Sequence, residues 1–278
     1  MIPAIDLAEG PRSVADDVRR ACEDVGFLTV TGHGVGEELI EQVAALSRGF
    51  FDRPEDEKAR YREPANTPGA PVYRPLGAEK LGANADRKAS LDWGPSLAGV
   101  AWPDDELRAV YERYYAEMLR VADQLVRSFA LALGLDETAL APHFDDRSSS
   151  LRVIDYPAGA TGARAGAHRD YGCLTIIHSD AAGLEVETRA GDWLPVEPPS
   201  GGFVVNIGDL MQRWTGDRWV STLHRVVGRD GASPRRQSLV FLHNPRSDAV
   251  IETLGDGTRY DPVNAGDYVL SRAAAAGL

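Results

Sequence analysis

SLRVIDYP (150–157), CLTIIH (173–178), LEVE (184–187), FVVNIGD (203–209), TLHRVV (222–227) and SLVFLHNP (238–245) follow one another through the second half of the chain, separated by turns rich in Gly, Pro and Asp. Short runs of Val, Ile, Leu and Thr with such punctuation predict a β-sandwich or closed barrel, not a parallel sheet with helices between its strands. Toward the amino terminus the texture becomes helical. SVADDVRRACEDV (13–25) carries Val14, Val18, Ala21, Cys22 and Val25 at helical spacing behind a Ser cap, and EELIEQVAALSRGFF (37–51) is a second amphipathic helix. Between them GFLTVTGHGV (26–35) reads as a strand ending in a glycine-rich turn. Residues 104–134 have an acidic start, repeated apolar spacing and a Gly stop, the pattern of a long helix. Residues 62–103 are rich in Pro, Gly, Ala and Asn without clear periodicity, as expected of a functional loop region or a partly mobile stretch. The expected class is mainly β with flanking helices. It forms one domain over 1–278, with a mostly helical part at 1–148 and a catalytic β half at 149–278.

Composition narrows the function. The 278 residues are 43% hydrophobic and 26% charged, ordinary for a globular protein with a sizeable core. A formal net charge of -12 repels a phosphate backbone, so no nucleic-acid partner is expected. No stretch approaches the run of about 20 apolar residues needed to span a membrane, and the start lacks a secretory pattern. Two cysteines far apart, Cys22 and Cys173, make neither a disulfide framework nor a zinc knuckle. The expected setting is the cytoplasm.

Among six histidines, the one taken as the start of a metal motif has a carboxylate two residues away in a strand-like run, in AGAHRDYGCLTII (165–177). Side chains at i and i+2 of a strand share a face, so His168 and Asp170 can converge on one ion while Arg169 points away. His224, in an apolar strand after the turn Gly208-Asp209, is the best third ligand. Two imidazoles and one carboxylate on one face of an octahedron leave three positions open on iron(II). A lone His, or a lone His-x-Asp pair, would carry little weight. The pattern gains force from Arg236 and Ser238, which share a face of the strand beginning 12 residues beyond His224. A buried Arg needs an anionic partner, and a dicarboxylate cosubstrate supplies one through the guanidinium fork.

IPAIDL (2–7), GFLTVTGHGV, VYRPLGAEK (72–80), LDWG (91–94), LRVIDYP, the His-x-Asp strand, VVNIGDLMQRWTGDRWVSTLHRVV (204–227) and RRQSLVFLHNP (235–245) together resemble the isopenicillin N synthase-like family of iron(II)/2-oxoglutarate-dependent dioxygenases over nearly the whole chain. The resemblance implies a double-stranded β-helix, or jelly roll, flanked by helices. It implies His168, Asp170 and His224 as metal ligands, Arg236 and Ser238 on the distal carboxylate of 2-oxoglutarate, and an assisting Tyr156 hydroxyl. The chain departs from many relatives at Ile154, where Asn is frequent, and at Ser179, where Gln is frequent. His178 is expected to be a packing residue, and Asp209 a turn residue or one that orients its neighbours.

The implied reaction consumes O2 and 2-oxoglutarate, releases succinate and carbon dioxide, and hydroxylates a small-molecule substrate. The Asp170 carboxylate fills a position that a small residue would leave open to chloride, which favours hydroxylation over halogenation; desaturation and ring formation stay open. Substrate contacts are expected in the 72–94 region, including Tyr73 and Arg74, and near His243.

Three rival readings remain at this point. An iron-dependent oxidase or cyclase of the same fold could dispense with 2-oxoglutarate. The run Gly32-His33-Gly34-Val35-Gly36 before a helix hints at a dinucleotide site, but Glu37 stands where the third glycine of that fingerprint belongs. A ligand receptor without catalysis is the third. Oligomeric state is not legible.

Overall fold

The computed structural model describes residues 2–62, 67–81, 85–159, 162–228, 233–255 and 259–275. The first half runs β1 (Ala4–Asp6), α1 (Pro11–Asp24), β2 (Phe27–Thr31), α2 (Glu37–Phe51), a one-turn α3 (Glu55–Lys58), β3 (Thr67–Pro68), β4 (Val72–Arg74), β5 (Ala89–Trp93), β6 (Ala98–Gly99) and α4 (Asp105–Ala132). The second half contains β7 (Ser150–Tyr156), β8 (Gly162–His168), β9 (Leu174–Ser179), β10 (Leu184–Glu187), β11 (Trp193–Val196), β12 (Phe203–Ile207), α5 (Asp209–Trp214), β13 (His224–Gly228), β14 (Arg236–His243), β15 (Val250–Ile251), β16 (Val263–Asn264) and α6 (Ala265–Ala275). Among the described residues no helix is long and apolar enough to cross a membrane.

Two sheets make the core. The larger has the order β1-β2-β12-β9-β14-β7-β5-β4 and the smaller β11-β10-β13-β8. From β7 onward the chain passes back and forth between them: β7, β9, β12 and β14 lie in the large sheet, and β8, β10, β11 and β13 in the small one. This alternation is the jelly roll the sequence predicts. Strand parity then sorts the side chains. Leu239 and Phe241 of β14 join Leu151 and Val153 of β7 in a core with Tyr111, Met118, Leu125 and Phe129 of α4. Val240, Ile154 and Tyr156 face the other way, toward Ala165, Leu184 and Val226 of the small sheet.

Two local expectations need correction. Ser13 is not the cap of the first helix; α1 begins at Pro11 behind Gly10, because Pro lacks the N–H that a first-turn residue cannot use and its fixed φ suits that position. Residues 62–103 are not all loop. β5 sits between β7 and β4 in the large sheet, and Ala89, Ser90, Leu91, Asp92 and Trp93 are all buried. A strand covered on both faces shows no alternation, so periodicity could not find it.

Gly26 closes α1 and starts β2. The amides of Val25 and Gly26 both donate to the Ala21 carbonyl (3.0 and 2.9 Å), and Gly26 has φ +67. A Cβ there would lie 1.8 Å from the Val220 carbonyl oxygen. Gly26→Ala combines left-handed strain with overpacking, and is expected to cost about 2–4 kcal/mol, read as a lower urea midpoint at unchanged slope.

Candidate active site

A cavity of about 520 Å³ lies between the sheets, and His168, Asp170, His224, Arg236, Ser238 and Tyr156 all reach it. β8 ends at His168, so Asp170 is not a strand residue as the i, i+2 spacing assumes. The chain turns after His168, and the turn is held by the start of α5: the Asp209 N–H donates to the Asp170 carbonyl (2.7 Å) and the Leu210 N–H to that of Gly172 (3.1 Å). Gly208 permits this approach, since a Cβ there would fall 2.2 Å from the Gly172 carbonyl oxygen. His224 opens β13 directly opposite His168 in the β13–β8 pair, and the two rings stand 4.3 Å apart between centroids. The Nε2 atoms of His168 and His224 lie 3.9 and 3.8 Å from Asp170 Oδ1, and the three ligand atoms are all within 4.8 Å of one another.

Each group's other polar atom is already engaged. Nδ1 of His168 meets the Gly166 carbonyl at 2.8 Å, and Nδ1 of His224 meets that of Thr222 at 3.1 Å. A carbonyl only accepts, so each proton sits on Nδ1 and each Nε2 lone pair is turned to the common point. Asp170 Oδ2 accepts from Thr175 Oγ1 (2.5 Å) and Asn206 Nδ2 (2.6 Å), which leaves Oδ1 for that point. Burial, reinforced by the neighbouring His224, pulls the His168 pKa down to about 3, so the ring is neutral at ordinary pH. Burial works to raise the Asp170 pKa, but His224, His168 and the bonds from Asn206 and Thr175 outweigh it and the carboxyl is held below its usual value. A neutral His168 imidazole and an ionised Asp170 carboxylate are the protonation states a divalent metal needs.

Arg236 is 1% exposed. Its Nε donates to the Ala181 carbonyl (3.0 Å) and its Nη1 to Ser238 Oγ (2.6 Å), and its guanidinium carbon lies 5.1 Å from the centre of the Tyr156 ring. Among the described residues no carboxylate forms an ion pair with it. Burial accordingly pulls the guanidinium below its ordinary pKa, against the opposing pull of Tyr156 and Asp180. A buried cation turned to a cavity without a protein counter-ion fits an anionic ligand.

The structure places the remaining candidates as follows. Arg74 lines the cavity, with Nε on Asp92 Oδ2 at 3.0 Å. Tyr73 does not: it points to the opposite face of β4, where its hydroxyl donates to Glu55 (3.2 Å) and its ring packs on Phe50. His243 is likewise turned away, bonded through Nδ1 to Ser149 Oγ (2.8 Å) and stacked on Phe144 at 4.7 Å. Parity explains both, since Val72 and Arg74, and Arg236, Ser238, Val240 and Leu242, are the cavity-facing sets. Residues 82–84 of the 72–94 region lie outside the described residues. His178 packs edge-on to Phe203 and stands apart from the ligand group. Asp209 binds Arg272 (2.5 Å), tying α5 to α6, and touches the site only through its backbone.

Sequence reading missed Thr175 and Asn206. For Asn206 the available signal was a single polar side chain inside the otherwise apolar β12, whereas Thr175 shares β9 with His178 and Ser179 and gave no such signal. Asn206→Leu removes one of the two bonds that orient Asp170, and a loss of about 10–100-fold in iron affinity is expected, measured by metal titration of the apoprotein.

A jelly roll in which three ligand atoms converge beside a guanidinium that pairs with no carboxylate among the described residues has the donor set of a metal-dependent site for a small anion. Residues 2–115 match the family described as non-haem dioxygenase in morphine synthesis, N-terminal, and residues 136–245 match the 2OG-Fe(II) oxygenase superfamily. A 2-oxoglutarate-Fe(II) type oxidoreductase of Aspergillus fumigatus is 31% identical across 91% of this chain and 84% of its own length. A proline hydroxylase of Petromyces alliaceus is 33% identical across 84% and 82%. The crystal structure of JOX2 with 2OG, Fe and JA superposes with a TM-score of 0.81 at 28% identity, over 97% of this chain and 84% of that one. The chain belongs to the 2-oxoglutarate/iron(II) oxygenase superfamily and is a 2-oxoglutarate-dependent dioxygenase that uses iron(II). These relatives do not favour the oxidase reading without 2-oxoglutarate. The dinucleotide reading gives way as well, because β2 is a strand of the large sheet and His33 fills its turn against Phe203 (4.2 Å).

Proposed function

We propose that the enzyme hydroxylates a small molecule, with His168, Asp170 and His224 holding iron(II), and Arg236, Ser238 and Tyr156 receiving the distal carboxylate of 2-oxoglutarate. When bound, iron, 2-oxoglutarate and dioxygen supply the oxidation: the 2-oxo acid becomes succinate and carbon dioxide while the substrate gains a hydroxyl. The protein's own work is positional. Gly166 and Thr222 aim the imidazoles, Thr175 and Asn206 aim the carboxylate, and Arg236 fixes one end of the cosubstrate through its fork. The observation that carries this reading is the engagement of every competing polar atom of the three ligands, so that only one donor atom of each is turned to the shared point.

The first half of the chain contributes β1, β2, β4 and β5 to the same sheet as β7, β9, β12 and β14, which supports reading the 278 residues as one domain. A cavity of this size suits a small-molecule substrate, and the net charge of -12 supports a reading without nucleic acid. Both cysteines are free and buried, in keeping with the cytoplasm. Anaerobic titration of the iron-reconstituted protein with 2-oxoglutarate tests the reading. A visible charge-transfer band saturating at one equivalent is expected, and the absence of that band from iron-loaded protein would overturn it.

A further inference from the structure

Beyond the metal centre, the most unusual wall of the cavity is ionic. Arg152 of β7 binds Asp92 through two parallel bonds (Nε to Oδ1 2.9 Å, Nη2 to Oδ2 2.7 Å) and lies 3.1 Å from Glu79. Arg74 shares both carboxylates, at 3.0 Å from Asp92 and 3.7 Å from Glu79. Glu79 is held in turn by Lys88 at 3.1 Å. The two signs are not equally presented. The side chains of Arg74 and Arg152 are 34% and 23% exposed, against 5% for Glu79 and 9% for Asp92. All four side chains, with Lys88, line the cavity, and the two guanidinium groups keep more of their surface open than the carboxylates do.

The strand register sets this pair apart from Arg236. Arg236 lies opposite Tyr156 and Val240 opposite Arg152 in the β14–β7 ladder, so four residues separate the two rows on one face. At the usual rise this is roughly 13 Å. A five-carbon diacid spans roughly 5 Å between its carboxyl carbons, so a cosubstrate anchored on Arg236 does not reach Arg152.

We propose that the substrate carries a carboxylate that docks on the Arg152–Arg74 pair, with Arg152 as a specificity-determining residue. The inference rests on Arg236 being the cosubstrate anchor. A cationic substrate would meet guanidinium groups first. An uncharged one would strip water from them and return nothing. One negative charge is the suitable complement, because Glu79 and Asp92 already balance the formal charge of the pair, so the attraction left is that of the more exposed guanidinium groups, and a dianionic phosphate would exceed it. Leu270 and Val269 of α6 line the cavity as well, and they offer the apolar body of such an acid a surface away from the charged wall.

The test is calorimetry on anaerobic, iron-loaded protein saturated with 2-oxoglutarate. The probes are hexanoic, cyclohexylacetic and 3-phenylpropionic acids, each matched with its primary amide. At least one acid is expected to bind about tenfold or more tightly than its amide, and the ratio should fall below about threefold in Arg152→Gln and in Arg74→Gln. If Arg152→Gln does not fold, as judged by circular dichroism, the more exposed Arg74→Gln carries the comparison. A panel in which no acid outbinds its amide overturns the inference, as does a preference that survives in the folded variants. Binding of 2-oxoglutarate is measured first. Its failure removes the functional reading and this one together, whereas cosubstrate binding without acid preference removes only this one.

Discussion

Asp170→Asn is expected to abolish iron loading and with it succinate release, a fall of at least about 100-fold, since disturbing even an outer partner of a metal ligand costs about 10–100-fold. The substitution is nearly isosteric, so the reason lies in hydrogen-bond polarity. Two donors, the Thr175 hydroxyl and the Asn206 amide, converge on Asp170 Oδ2. An asparagine has one acceptor and one donor, so its oxygen is drawn to that side and its NH2 is turned to the point shared with His168 and His224. A donor then stands where a lone pair is required. Metal analysis after reconstitution, with circular dichroism to confirm the fold, reads the outcome directly. Iron at the wild-type stoichiometry in Asp170→Asn would defeat the assignment of this carboxylate as a ligand.

Arg236→Met separates cosubstrate binding from stability. The guanidinium is buried and no carboxylate pairs with it among the described residues, so in the cosubstrate-free protein it is a desolvated charge held by the Ala181 carbonyl and the Ser238 hydroxyl. Replacing such an ion with an apolar residue of similar volume is often neutral or stabilising. The thermal midpoint of the apoprotein is therefore expected to stay level or rise. Affinity for 2-oxoglutarate moves the other way. Losing one partner of a buried charge pair costs roughly 2–5 kcal/mol, or about 30-fold to several thousand-fold in the dissociation constant. Arg236→Lys keeps the charge but not the planar fork, and falls between the two. A variant that unfolds readily yet binds 2-oxoglutarate normally would assign Arg236 to the scaffold instead.

Much of the site was visible in the chain because its signals are local or evenly periodic. His168 and Asp170 stand two apart, Arg236 and Ser238 stand two apart, and all lie beside runs of β-formers that place them on strands or at their ends. The same parity also held information that went unused. His243 is an odd number of residues from Arg236, so it could not share the cavity face, and Tyr73 and Arg74 could not both face inward. Asn206 was missed because its role depends on a carboxylate brought to it from another segment, and Thr175 because its bond to Asp170 depends on the turn between them. Arg152 was missed for a similar reason: in LRVIDYP it is one polar residue at a strand start, and only its pairing with Asp92 across β5 shows which way its charge is presented.

Read alone, the sequence determined the strand-rich second half, the helices that cover it, and which residue types could serve a ferrous ion and a diacid, since these follow from propensity, alternation and spacing within a few residues. The tertiary structure alone decided that β5 is a central strand, that Asp170 sits in a turn pinned by α5, and that one wall of the cavity is an ion-pair network of Arg74, Arg152, Glu79 and Asp92. The physical reason is common to all three. Burial on both faces erases periodicity, and the partners that orient a charge come from distant segments whose meeting depends on packing.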